Sequence, residues 1–190
     1  MPDEFRASVY IATSLDGFIA RADGSLDWLD APTAQYDPDD DLGDLGFAEF
    51  LATVDVLVMG RSTYDTVLGF GEWPYGDTPV AVATHRSIDP PPASADADVH
   101  AVAGTATEIA AALAAEGHRR AYVDGGTVIN QFLAAGLVDR LVLTRIPVLI
   151  GSGIALFGEL PHDIGLRHEG TTSWSNGLVQ STYRVVSSGP

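Results

Sequence analysis

The chain is 190 residues long, enough to bury one full core, so a single domain spanning 1–190 is expected. Its 26 acids outweigh 10 basic residues, all of them arginine, for a formal charge of -16, and it contains no cysteine. These counts disfavour nucleic acid and anionic membranes as partners, and they exclude disulfides, thiolate chemistry, lysine Schiff bases and the Gly-Lys-Ser/Thr phosphate loop.

Ala7 to Thr13, rich in Val, Tyr and Ile, predicts the first strand. A loop rich in Asp and Gly follows from Ser14 to about Gly43, a length that marks functional or disordered segments. Phe47, Phe50 and Leu51 share a helical face, and Val54 to Met59 is an apolar run suited to a strand covered on both sides. The next helix opens at Arg61, with Ser62 and Thr63 as candidate caps, and ends near Gly69. Strands are expected at Pro79 to Thr84, Val99 to Ala103, Ala121 to Asp124 and Leu141 to Ile146, with helices at Thr105 to Gly117 and Thr127 to Ala135. Asp89-Pro90-Pro91-Pro92 must be a loop, and Trp174-Ser-Asn-Gly177 marks the turn of a terminal hairpin. The order implies a three-layer α/β fold: a mostly parallel, mixed central sheet, helices on both faces and a C-terminal antiparallel hairpin. No apolar run is long enough to span a bilayer, and the acidic start lacks the pattern of a signal peptide, so a cytoplasmic location is expected.

Two strand-to-helix edges carry glycine. In Val58-Met59-Gly60-Arg61-Ser62-Thr63-Tyr64, glycine lets a phosphate approach the backbone, while the helix start and Arg61 supply positive charge. In Tyr122-Val123-Asp124-Gly125-Gly126-Thr127-Val128-Ile129, paired glycines open a second such edge. Either edge alone is also what an ordinary turn looks like. Together they point to a ligand, because α/β sheets bind beyond the carboxyl ends of their strands. Neither edge is Gly-x-Gly-x-x-Gly, so a standard dinucleotide-binding fold is not indicated.

Ile11-Ala-Thr-Ser-Leu-Asp-Gly-Phe-Ile-Ala20 resembles the opening of the riboflavin-pathway reductases, the C-terminal domain of the bifunctional deaminase-reductase. Met59-Gly-Arg-Ser-Thr-Tyr64 is similar to the Met-Gly-Arg-x-Thr-Trp/Tyr motif of dihydrofolate reductase. Asp124-Gly125-Gly126, Gly136-Leu-Val-Asp-Arg-Leu141 and Pro147-Val-Leu-Ile-Gly-Ser-Gly153 continue the riboflavin pattern in order. The resemblance runs from about Ser8 to Phe157 and implies a dihydrofolate-reductase-like fold, NADPH as cofactor and a homodimer. It places Ala12, Ile19 and Ala20 beside the nicotinamide, and Gly60, Arg61, Ser62 and Thr63 on the pyrophosphate and adenosine. Thr84, His85 and Arg86 would read the ribose and its 2′-phosphate, Arg86 foremost because guanidinium pairs bidentately with phosphate. Gly125, Gly126, Thr127, Val128 and Ile129 would pack against pyrophosphate and nicotinamide. Thr144 falls where dihydrofolate reductases support their substrate-binding acid, for which Asp44 is in register.

Departures from the pattern bear on substrate. Phe18 stands where riboflavin reductases carry lysine, Gly69-Phe-Gly-Glu-Trp-Pro-Tyr75 replaces their Asp-Asp-Pro-x-Leu-Thr-x-Arg segment, and Asp124 replaces a glutamate. Trp28, Phe47 and Trp73 are expected instead to form a flat apolar pocket for an uncharged ring. Asp44 and Asp124 are the candidate acids, although an isolated Asp at 44 is more often a helix N-cap than a proton donor. Asp37, Asp39, Asp40, Asp41 and Asp44 do not make an EF-hand, since the sixth and twelfth positions are Leu42 and Ala48, and the five histidines lack metal-ligand spacing. No metal is expected. The expected function is hydride transfer from NADPH to a C=N or C=O bond of a small molecule. Alternatives are a dihydrofolate reductase and a non-catalytic nucleotide-binding or resistance module.

Overall fold

The computed structural model describes residues 4–29, 42–91 and 98–186. Asp37, Asp39, Asp40, Asp41 and Pro92 lie outside them. The elements in chain order are β1 (Arg6–Ser14), β2 (Phe18–Ala20), α1 (Phe47–Leu51), β3 (Val56–Gly60), α2 (Arg61–Leu68), β4 (Val80–Ala83), β5 (Val99–Val102), α3 (Ala106–Ala115), β6 (Arg120–Asp124), α4 (Gly126–Ala134), β7 (Val138–Ile146), β8 (Ile154–Ala155), β9 (Gly165–Ser173) and β10 (Val179–Val186).

Eight strands form one sheet in the order β5-β4-β3-β6-β1-β7-β10-β9. The pairs from β5 through β7 are parallel, and β10 lies antiparallel to both β7 and β9. Side-chain alternation along the strands divides the interior into two layers. Val56, Val58, Ala121 and Val123 face α3 and α4, which contribute Ile109, Leu113, Ile129 and Phe132. Leu57, Met59, Val80 and Tyr122 face the opposite way, onto Phe50 of α1 and Tyr64 and Val67 of α2. The three-layer, mostly parallel reading therefore holds.

Three local expectations change. The loop after β1 contains β2, which pairs antiparallel with β8, and Gly153 lets them meet, because a Cβ there would lie 2.2 Å from the Ala20 carbonyl oxygen. Ser62 and Thr63 do not cap α2; its N-cap is Gly60 and no side chain closes that end. β7 starts at Val138 rather than Leu141, since its first residues pair with β1.

The approach of α1 to the sheet is latched from a distance. The Leu45 carbonyl accepts from the Tyr10 hydroxyl at 2.9 Å and from Gln180 Nε2 at 3.1 Å, and Gln180 also donates to Thr144 Oγ1 at 3.0 Å. At the other end of the sheet β9 is exposed along almost all of its length. Among the described residues no helix is long and apolar enough to cross a membrane.

Candidate active site

β3 runs outward to β4 and β5, while β6 returns on the other side of β3 beside β1. The chain reverses its winding there, and the carboxyl ends of these strands open on a cleft of about 600 Å³. That volume lies in the range of cofactor and small-molecule sites, roughly 300–1,000 Å³. Thirteen of the fifteen residues assigned to a cofactor line it: Ala12, Ile19, Ala20, Gly60, Arg61, Ser62, Thr63, Thr84, His85, Gly125, Gly126, Thr127 and Val128. Arg86 stands exposed just outside, its backbone N–H donating to Thr84 Oγ1 at 3.1 Å. Ile129 is a correction. It faces inward from α4 and is fully buried in the core.

Two helices begin on this cleft without a capping side chain, α2 at Gly60 and α4 at Gly125. Their first N–H groups and dipole ends are left for an anion. The contrast is α3, whose start carries a complete capping box between Thr105 and Glu108. Gly125 has φ +87, and a Cβ there would meet Thr63 Oγ1 at 2.3 Å, so glycine brings the two helix starts together. Gly126 is tight but less so: a Cβ would meet Ile19 Cδ1 at 3.1 Å and the Ala155 carbonyl oxygen at 3.2 Å. The Gly-Gly pair thus serves the packing of α4 on α2 and on the β2–β8 wall. A bulky residue at Gly126 would disturb that wall whether or not a ligand rests on it.

Arg61 is turned along the cleft by Asp65 at 2.7 Å and by the Ser87 carbonyl, with Asp89 at 3.7 Å. These acids offset much of its charge. The β2–β8 wall is tied down from both sides: Asp16 accepts from the Gly151 N–H at 2.8 Å, and Asn130 Nδ2 donates to the Leu156 carbonyl at 2.7 Å.

The two candidate acids part company. Asp124, the last residue of β6, points the same way as Tyr122 and lies half-buried at the floor of the cleft. Burial pushes its carboxyl up to about 6, opposed by the Gly125 N–H at 2.8 Å and by the phenol groups of Tyr122 and Tyr75. Such a group carries a proton over part of the neutral range. Asp44 does not line the cleft. It is exposed and accepts from the backbone N–H of Ala48 at 2.7 Å and of Gly46 at 2.9 Å, which hold its carboxyl below the usual range. Its carboxylate is taken up by the entry to α1, whose N-cap is Gly46, and a proton donor there is not supported.

The expected substrate side is also corrected. Trp28 is 2% exposed and packs with Ile146 and Leu178. Trp73, half-buried, stands edge-on to Tyr75 at 5.4 Å and packs against the core. Phe47 belongs to an aromatic cluster with Tyr10 and Tyr122, and Thr144 is buried beneath it on Gln180. Tyr10 packs its ring against Phe47 at 5.4 Å and Phe50 at 5.0 Å. Cleft residues missed in the sequence include Leu26, Leu29, Phe70, Tyr75, Gln131 and Ile154. Tyr75 lies in the segment that breaks the riboflavin pattern, which was the one available signal.

Residues 8–180 match the RibD C-terminal domain family. The chain is 36% identical over 177 residues to the uncharacterized protein YwjB of Bacillus subtilis, covering 92% of this chain and 95% of YwjB. The crystal structure of a candidate riboflavin biosynthesis protein from Shewanella sp. PV-4 matches at a TM-score of 0.83 and 40% identity, covering 95% of this chain and 99% of that one. Dihydrofolate reductase from Enterococcus faecalis, solved as a complex with NADP(H), shares the fold at a TM-score of 0.60 and 19% identity, covering 95% and 96%. The chain belongs to the RibD C-terminal domain family, a reductase-like family with the dihydrofolate-reductase fold.

Proposed function

We propose that this protein is an NADPH-dependent reductase acting on a C=N or C=O bond of a small, unphosphorylated heterocyclic or carbonyl compound. The observation that carries the reading is the pair of uncapped helix starts, α2 and α4, opening on one cleft whose floor holds Asp124. The cleft fits a dinucleotide: two sets of free N–H groups for a pyrophosphate, apolar Ala12, Ile19 and Ala20 for a flat ring, and exposed Arg86 for a 2′-phosphate. The NADP(H) complex of the E. faecalis reductase supports that choice.

When bound, the dihydronicotinamide supplies the hydride. The residues of this chain orient the reactants, keep water from one face through the β2–β8 wall, and deliver a proton from the Asp124 carboxyl. The only basic side chains lining the cleft among the described residues are Arg61 and His85, and Arg61 is engaged by Asp65 and Asp89. A second phosphate, on the substrate, would find only His85 and the already engaged Arg61 to pair with, which disfavours a phosphorylated compound.

The test is NADPH oxidation with the phosphorylated ribosylamino-pyrimidine of the riboflavin pathway, dihydrofolate, and a panel of unphosphorylated pteridines and carbonyls. Turnover confined to unphosphorylated compounds is expected. Efficient reduction of the phosphorylated intermediate would overturn the substrate class, and failure to bind NADPH by fluorescence titration would overturn the reductase reading itself.

A further inference from the structure

β4 ends at Ala83, and the segment that follows carries Thr84 and His85 along the cleft and Arg86 just outside it. Residues 84–89 are fastened at both ends. At the start the Thr84 N–H donates to the Val102 carbonyl at 2.8 Å, which extends the β4–β5 ladder by one bond. At the far end α2 takes hold: the Tyr64 hydroxyl donates to the Asp89 carbonyl at 2.7 Å, and the Arg61 guanidinium donates to the Ser87 carbonyl. Ile88, between those two carbonyls, packs on the core layer of Tyr64 and Val67. Pro90 confines Asp89 to an extended backbone, so its carbonyl is presented over a narrow range of directions. Within the segment the Arg86 N–H donates to Thr84 Oγ1 at 3.1 Å.

We propose that Tyr64 and Arg61 are the positioning residues for cofactor selectivity: they clamp residues 84–89 to α2, so that Arg86 is held ready for a 2′-phosphate before NADPH arrives. The assignment rests on the reductase reading. A short segment pinned at both ends has little conformational freedom left to lose when it meets a ligand. The two arginines take different parts. Arg61 is engaged by the protein itself: its Nε donates to Asp65 at 2.7 Å, one terminal nitrogen serves Ser87, and the other faces Asp89 at 3.7 Å. The Arg86 guanidinium has no hydrogen bond or ion pair among the described residues, so its fork is open to a phosphate.

Tyr64 gives the cleaner handle on this arrangement. It is fully buried, lines no part of the cleft and carries no charge, so it reaches a cofactor only through the segment it holds. Arg61 lines the cleft and neutralises Asp65 and Asp89, and its loss would alter the electrostatics for every nucleotide alike. NADH has no 2′-phosphate and draws nothing from Arg86. Loosening the clamp should therefore weaken NADPH and leave NADH as it was.

The test uses the whole protein and fluorescence titration with NADPH and with NADH. Tyr64→Phe keeps the ring and removes the bond to Asp89; NADPH should bind roughly three- to tenfold more weakly, with NADH unchanged. In an Arg86→Ala background the same substitution should no longer affect NADPH, because the residue it positions is gone. A loss shared equally by both cofactors, an unchanged ratio, or a full effect that persists without Arg86 overturns the proposal. Should Tyr64→Phe fail to fold, nitrogen-15 relaxation of the wild-type protein without cofactor decides. Backbone order parameters of about 0.85 across residues 85–89 support the clamp, and values below about 0.6 overturn it. The relaxation measurement needs no cofactor, so failure of NADPH to bind beside a rigid segment refutes the reductase reading and the selectivity role, not the clamp. A preference for NADPH beside a mobile segment refutes the clamp alone.

Discussion

Replacing Gly125 with alanine puts the most demanding contact of the cleft to the test. Gly125 sits at φ +87 and ψ 132, a region in which a side chain costs on the order of 1–3 kcal/mol. The added Cβ would also lie 2.3 Å from Thr63 Oγ1, so Thr63 must rotate or the starts of α2 and α4 must separate. Overpacking of that kind adds about 1–3 kcal/mol. The sum, about 2–6 kcal/mol, is a large share of the roughly 5–15 kcal/mol that holds a domain folded. Urea denaturation followed by circular dichroism measures it. Thr63→Ala in the same chain removes the clashing oxygen and leaves only the backbone strain, so the double variant should recover about 1–3 kcal/mol. A loss of less than about 1 kcal/mol in Gly125→Ala would refute the strain argument. No recovery in the double variant would show that Thr63 is not what the new methyl group meets.

Three further outcomes are expected. Asp124 is a carboxylic acid whose folded value is raised from 3.8 to about 6, so the folded protein holds the extra proton between those values and stability falls as pH rises through them. Asp124→Asn, which mimics the neutral acid, should be up to about 3 kcal/mol more stable than wild type near pH 8, with that advantage fading near pH 4; parallel stability curves for the two proteins would refute the raised value. Arg86→Ala should lose about tenfold or more of the preference for NADPH over NADH, since a charge-assisted bond contributes roughly 1.5–3 kcal/mol; an unchanged ratio in fluorescence titrations removes Arg86 from the 2′-phosphate site. Because β9 leaves a sheet edge exposed, light scattering should give a dimer mass, and a monomer mass across micromolar concentrations would refute the homodimer inferred from the family resemblance.

The sequence by itself determined what depends on neighbours along the chain. Apolar runs such as Val56 to Met59 could only be strands covered on both faces, because every other side chain must find a core on each side. The two glycine-bearing strand-to-helix edges were readable for the same reason. Glycine at Gly125, with φ +87, answers a local backbone requirement, and at both edges a helix start follows at once. The acid and the substrate side were not readable, because burial there is decided by residues far apart in the chain. Asp44 matches the register of a substrate-binding acid, yet its carboxylate is taken up by the Gly46 and Ala48 N–H groups, while Gln180 and Tyr10, 170 positions apart, bond across to Leu45. Trp28 looks like a pocket wall until the C-terminal hairpin brings Leu178 against it. Asp124 faces the same layer as Tyr122, but only the insertion of β6 between β3 and β1 buries its carboxyl enough to raise its proton affinity. Alternation along a strand tells which way a side chain points; sheet order and loop closure decide what it meets there.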